Sequence, residues 1–530
     1  MKRVLATTAV LLACGALYAG CGGGGGGGGG GGTAPAPAPT ARTGNTATTG
    51  NSNTASNTNT TPTNTTPTNN ASGTGSATPS GTSGGTSGGT SGGTSGGTSG
   101  NFATYTPHAD TVKIHVSSST GSDTNDGLSP SSPVKTLAKG VALLRDGQPD
   151  WLLLKKGDVW DEAFGRWKKC GRSAAAPMVI WSYGTGARPL LRTGSGMALK
   201  TDSGSGSPTI IHSVSFVGLS FWAHTRDPDG GFYEGTSGSA GIQWLRGSRD
   251  IVFDDLKVDS YATNITIQDF YGDGSQNWTL RNLVVVDAYN TSGHGQGLYV
   301  DGVDGMTIQD SVFDHNGWNS QISGAEATMY NHNIYLQYNC SGLVVRRNVL
   351  TRAASHGVQV RPGGVCDDNF GYQNPINVLM GYNSGPISSG QVCNNVLLEA
   401  NDITASLPRG WGIEFRNISS VLVEGNVVAH VATDSPNRRS IEEIGGGTYS
   451  NNVVFDWPVS PGNGYGEGLE TNGPFAEPNR SVPGYNAMLG GPGTDAAFYL
   501  KIRSQSRDSY DGNYSADSLN AYFRAGFVPQ

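Results

Sequence analysis

Gly-Leu-Tyr-Val-Asp at 297–301, Asn-Ile-Tyr-Leu-Gln at 333–337 and Gly-Val-Gln-Val-Arg at 357–361 are one pattern written three times. Gly-Ile-Gln-Trp-Leu at 241–245, Asn-Ile-Thr-Ile-Gln at 264–268 and Gly-Ile-Glu-Phe-Arg at 412–416 repeat it, and Ser-Ile-Glu-Glu-Ile at 440–444 is a weaker copy. Each of the six strong copies is followed by a second apolar stretch, around Ile251, Leu280, Ile308, Leu343, Val396 and Leu422. A position just beyond that stretch reads Leu256, Leu283, Ser311, Asn348, Asn401, Asn426 and, after the weak copy, Asn452. The steps are about 25 to 28 residues wherever no loop is inserted. A period of that length marks a solenoid. Short alternating stretches between Gly and Asn turns, without a helical period, make its strands β.

Strand alternation sorts each copy into two faces. The second and fourth positions are apolar and point into the coil. The third and fifth point outward. The third column reads Gln243, Thr266, Tyr299, Tyr335, Gln359, Glu414 and Glu442; the fifth reads Leu245, Gln268, Asp301, Gln337, Arg361 and Arg416. Neighbours in a column lie about 4.8 Å apart, so residues scattered along the chain share one surface. His332 and His356 precede consecutive copies at the same position, and His294 lies slightly further upstream of its own. The repeated Asn348, Asn401, Asn426 and Asn452 fit left-handed corners and an internal amide ladder rather than chemistry.

The N-terminus reads as an export signal: Lys2 and Arg3, then a short apolar run from Val4 to Leu17. That run is too short for a membrane-spanning helix. Leu17-Tyr18-Ala19-Gly20-Cys21 resembles a bacterial lipobox, although Tyr18 replaces the usual aliphatic residue. The resemblance implies cleavage before Cys21, lipidation of its thiol and anchoring at the cell envelope, expected to be the outer membrane of a bacterium; an ordinary secretory signal that releases the chain is the alternative reading. Residues 22–105, rich in Gly, Ser and Thr, have almost no apolar surface to bury and are expected to be a flexible tether. The formal net charge of −7 argues against nucleic acid as a partner. Export permits disulfides. Cys366 and Cys393 bracket an apparent insertion at 367–392, which a bridge would close; Cys170 and Cys340 are left without an assigned pairing.

Ile114-His115-Val116, the loop Gly121-Ser-Asp-Thr-Asn-Asp-Gly127 and the helical stretch to Leu144 resemble the start of secreted right-handed parallel β-helix proteins of the pectate-lyase-like superfamily. Trp151 to Gly157, Ala176 to Ile180, Gly186 to Pro189 and Ser355 to Gly364 continue the likeness, and Phe498 to Phe527 resembles their paired C-terminal helices. The resemblance implies an all-β right-handed parallel β-helix with an N-terminal capping helix and short C-terminal helices. The expected organisation is signal at 1–21, tether at 22–105, cap and first turns at 106–205, coil at 206–458 and C-terminal extension at 459–530. Open solenoid ends need covering. Residues 138–144 and 496–507 are the candidates.

This superfamily holds several chemistries. β-Elimination from a uronic-acid glycan needs a cation on the carboxylate, a base and an acid. Arg361 or Arg416 would grip the carboxylate. His332 or His356 would serve as base, Tyr335 or Tyr299 as acid, with His294 nearby. Asp301, Gln337, Gln359, Glu414 and Arg416 would line the substrate. C5 epimerisation uses nearly the same groups. Hydrolysis ranks lower: Asp301 and Glu414 stand three steps apart, about 14 Å, too far for paired carboxylates, whereas Glu414 with Glu442 or Glu443 would be close enough if the 440–444 copy keeps the register. Ser292-Gly293-His294-Gly295 faintly resembles the Gly-His-Gly of polygalacturonase-like hydrolases, but their companion motifs are missing. A non-catalytic glycan-binding or structural surface protein is the third reading, with Trp222, Tyr233, Trp244, Trp318 and Tyr330 as stacking platforms. The expected partner is a polysaccharide, met by a monomer. No cofactor is required by any motif; a calcium site would fall among Asp227, Asp229 and Glu234.

Overall fold

The computed structural model describes residues 100–201, 210–383, 389–457 and 474–530; the leader, Cys21 and residues 22–99 of the expected tether lie outside them. Three sheets, all parallel, run the length of the coil: sheet A with 12 strands, sheet B with 11 and sheet C with 10. One turn contributes a strand to each, for example Gly247–Asp254 to A, Lys257–Asp259 to B and Thr263–Gln268 to C. Each strand pairs with its counterpart one turn on. This is a right-handed parallel β-helix, the hand that parallel crossovers adopt.

The second and fourth positions of the repeats fill the core. Ile242 and Trp244, Ile265 and Ile267, Leu298 and Val300, Ile334 and Leu336, Val358 and Val360, and Ile413 and Phe415 are all buried. Val378 and Met380 form a further pair from a turn that the periodicity does not reveal. Residues 367–392 are therefore no insertion. They supply Phe370–Tyr372 to sheet B and Ile376–Gly381 to sheet C. Leu379 occupies the outward third position there, so Ile376 to Met380 reads as a mostly apolar run instead of an alternating strand.

The Asn ladder exists with one rung changed. Side-chain amides pass from Asn348 to Asn369, Asn395, Asn426 and Asn452 at 2.9–3.0 Å, and Asn401 is not among them. These amides point inward. The left-handed residue is the one before each rung: Arg347, Asp368, Asn394, Gly425 and Asn451 all have positive φ. A second amide line, at the corner between sheets B and C, joins Asn264, Asn316, Asn333, Asn374 and Asn377. Gly357 alternates with these because a Cβ there would meet Asn377 O at 2.7 Å.

Helix α1, Leu137–Leu143, covers the first turn as expected, with Gly140 against Val116 and Leu152. The other end differs from expectation. Three helices, α2 Val482–Met488, α3 Asp495–Arg503 and α4 Ala516–Gly526, pack on the flank of sheet B. Phe498, Ile502, Leu519 and Phe523 bury a stripe of Val284, Val286, Val312, Phe370, Val396 and Val427. Those short strands are apolar on both faces for this reason. Residues 100–105, assigned to the tether from composition, lie against the coil: Ala103 N donates to Asp254 and Tyr105 packs on Trp181.

The expected Cys366–Cys393 bridge is absent; all four described cysteines are free thiols. Cys366 pairs in register with Val392, and Cys393 with Asp367. One residue of offset puts the two sulfurs on opposite faces of sheet A.

Candidate functional site

The outer face of sheet C carries three columns, not two. The first runs Gln296, His332, His356, Ile376, Trp411, Arg439. The second runs Thr266, Tyr299, Tyr335, Gln359, Leu379, Glu414, with Glu442 following Ile441, the partner of Ile413. The third runs Gln268, Asp301, then Gln337 and Arg361 just beyond their paired strands, then Gly381 and Arg416. The extra turn moves Glu414 four steps from Tyr299, and hence from Asp301, about 19 Å along the stack.

The histidines are brought together and then closed off. His332 and His356 stack with centroids 4.5 Å apart, and His332 stacks on Tyr335 at 4.8 Å. They are only 3% and 5% exposed. His332 Nδ1 meets Gln296 Oε1 at 3.0 Å and His356 Nδ1 meets Ser355 Oγ at 2.8 Å. Burial, with Arg361 and His294 adding to it, pushes the His332 imidazole down to about 3; burial and the neighbouring His332 hold His356 well below its usual value. A base so weak and so covered does not suit proton abstraction near neutrality. His294 sits apart from this stack, ring on ring with Tyr330 at 5.3 Å.

Arg361, half-buried and with its Nε covered, is the centre of the face. Its guanidinium lies 4.7 Å from the Tyr335 ring and 4.0 Å from the Tyr382 ring, and Tyr382 stacks on Tyr338 at 5.6 Å. Nη1 donates to Gln337 Oε1 at 2.9 Å, and Gln337 Nε2 donates to the Tyr335 hydroxyl at 3.3 Å. Tyr299 meets Tyr335 edge to face at 5.3 Å. Asp301 accepts from Asn339 at 3.0 Å; burial raises its carboxyl, partly offset by Asn339 and Arg361. Tyr338, Tyr382 and Asn339 escape the repeat because they follow the strand ends, where the turn begins.

Two turns beyond Arg361, Arg416 Nε donates to Glu414 Oε1 at 2.6 Å and Nη1 to Asn383 at 3.1 Å. Arg409 and Arg439 flank the Trp411 ring at 5.1 and 5.3 Å. Gln359 is buried beside Tyr335, and Ile376, Leu379 and Trp411 form an apolar strip between the two arginine sites.

The other sequence candidates separate. Trp244 is in the core, and Trp318 packs on His315 at 4.4 Å with Nε1 donating to Arg352 O. Trp222 and Tyr233 lie outside sheet C, in the region of the 222–240 loop, which meets the 314–331 loop where Gln321 donates to both Asp229 oxygens. Asp227 accepts from Trp222 and from Asp229 N. Among the described residues no three His, Cys, Asp or Glu side chains gather as a metal site.

No family model and no curated protein matches this chain. Solved structures do resemble it. Pectate lyase Pel9A aligns at 14% identity and TM-score 0.39, over 67% of this chain and 78% of its own. An alginate lyase from Paenibacillus aligns at 14% and 0.40, over 66% and 98%. A glycoside hydrolase aligns at 10% and 0.45, over 64% and 96%. Likeness at this level concerns fold alone, and the chain's own three all-parallel ladders make it a parallel β-helix.

Proposed function

We propose that the outer face of sheet C binds an acidic polysaccharide and acts on its uronic residues by β-elimination, or by C5 epimerisation through the same proton abstraction. The observation that carries this reading is Arg361, held between Tyr335 and Tyr382 with a side-chain partner only at Nη1 among the described hydrogen bonds. A fixed guanidinium is suited to a planar carboxylate. Neutralising that carboxylate acidifies the C5 proton. With the histidines closed off, the proton carriers are the two phenols, Tyr299, which is half-buried, and Tyr335, which is only 8% exposed. In elimination one phenolate takes the C5 proton, the C4–C5 double bond forms, and the O4 leaving group departs with a proton from the second phenol. In epimerisation the proton returns to C5 from the opposite side.

Hydrolysis is less well served. Asp301 and Glu414 are too far apart, while Glu414 is tied to Arg416 and Glu442 accepts from Phe415 N at 2.5 Å. Lipidation at Cys21, a tether holding the coil off the envelope and a monomeric state belong to the same proposal. Labelled fatty acid incorporated by the native chain and lost in Cys21→Ala tests the anchor.

The test of activity is ultraviolet absorbance of the unsaturated product on a panel of uronic polysaccharides, with and without calcium. A rise abolished by Arg361→Ala and Tyr335→Phe supports elimination; exchange of the C5 proton without a rise supports epimerisation. Binding that needs Arg361 but yields neither product identifies a non-catalytic glycan-binding coil. Binding unaffected by Arg361→Ala removes the reading.

A further inference from the structure

Arg416 is a second carboxylate-binding group on the ladder of Arg361, and it is already occupied. The two arginines are two steps apart, about 9.6 Å along the stack. Gly381 stands between them in the column, with positive φ and no room for a Cβ, and the next two residues, Tyr382 and Asn383, reach Arg361 and Arg416. The Arg416 side chain is 34% exposed, and its guanidinium is held by the Glu414 carboxylate, which is 2% exposed.

That ion pair is built to be marginal. Arg416 uses Nε and Nη2 on the same oxygen, Oε1. Glu414 Oε2 is buried without a hydrogen-bond partner among the described residues. An orphaned buried oxygen asks for an explanation. Burial disfavours its charge, and Glu442 adds to that, whereas Arg416 and Arg409 favour it. Leu379 lies on one side in the column and Glu442 on the other. Arg409 opposes them from the loop before the strand, and Arg439 from the neighbouring column stands across Trp411. Asn383 Oδ1 accepts from Arg416 Nη1. Burial, with Glu442 adding to it and Arg416 and Arg409 subtracting, pushes the Glu414 carboxyl up to about 7.

We propose that Glu414 is an internal stand-in for a uronate carboxylate: it holds Arg416 until it takes up a proton, and then yields the guanidinium to the glycan. The proposal rests on the acidic-glycan reading above and adds a second carboxylate subsite whose occupancy is coupled to a proton. Binding at Arg416 then requires the protonated form, so the apparent affinity scales with the protonated fraction.

The experiment is calorimetric titration of an oligogalacturonate into the folded chain at about pH 6 and about pH 8, in buffers of different ionisation enthalpy. Between those values the protonated fraction of a group near 7 falls roughly tenfold. Wild-type affinity is expected to weaken about tenfold with it, with proton uptake on binding at the higher pH. Glu414→Gln is expected to keep the low-pH affinity at both values without proton uptake. Arg416→Ala should be weak at both. A wild-type affinity independent of pH, or Glu414→Gln retaining the wild-type dependence, overturns the proposal while leaving the Arg361 reading intact. No binding at either pH by wild type overturns both.

Discussion

The imidazole rings of His332 and His356 lie one above the other in adjacent strands, 22° from parallel, each tied to a polar neighbour and neither open to solvent. Both are neutral in the folded protein and gain a proton on unfolding in acid. Their contribution to stability is present above the unfolded value, about 6.5, and is lost as pH falls towards about 3, where His332 titrates in the fold. Urea midpoints measured across that range should fall with acid, and fall less steeply in His356→Gln. An equal slope in the variant would remove the role assigned to the stack.

Asn395 is a rung used at both ends of its amide. Its amide donates to Cys366 O, Cys393 O and Asn426, and its oxygen accepts from the Asn369 backbone and side chain. Asn395→Ala strands these groups in the core and should cost about 2–4 kcal/mol by chemical denaturation. Asn401→Ala, off the ladder, should cost less.

The C-terminal helices are held by a charge cluster around the buried Asp314 as well as by the valine stripe. Arg503 donates to both Asp287 oxygens at 2.7 and 2.9 Å and also to Asp314, which Arg352 grips from the coil. Burial alone would raise the Asp314 carboxyl; Arg503 and Arg352 reverse that and hold it well below the usual carboxylate range. Arg503→Ala should therefore cost about 3–5 kcal/mol and loosen the helices. A lowered melting temperature together with new binding of a hydrophobic dye is the expected result.

Arg361 offers a test of geometry against charge. Arg361→Ala should weaken uronate binding by about 1.5–3 kcal/mol, the range of hydrogen bonds to charged groups. Arg361→Lys keeps the charge but loses the planar fork and the stack on Tyr382, so calorimetry should show only partial recovery. Full recovery with lysine would mean that the site reads charge alone.

The histidine column shows where reading the repeats stops. Equal spacing before consecutive strands placed His332 and His356 on one edge, and they are there. Their exposure depends on side chains from other turns, such as Gln296 against His332 and His332 against His356, which no local pattern counts. The turn at 367–392 escaped because Leu379 stands where the other copies carry polar or aromatic side chains. The cysteine bridge failed on one residue of register, which only strand pairing sets.

From sequence alone, the coil follows: a 25–28-residue period and inward apolar pairs, such as Ile334 with Leu336, specify stacked parallel turns, because burial of alternate side chains is a local demand repeated at each turn. The tertiary structure decided which outward residues are usable. Stacking brought Arg361 between two tyrosines and Glu414 onto Arg416, and it closed over the histidines. Burial and register are properties of neighbouring turns, and they set both access and protonation.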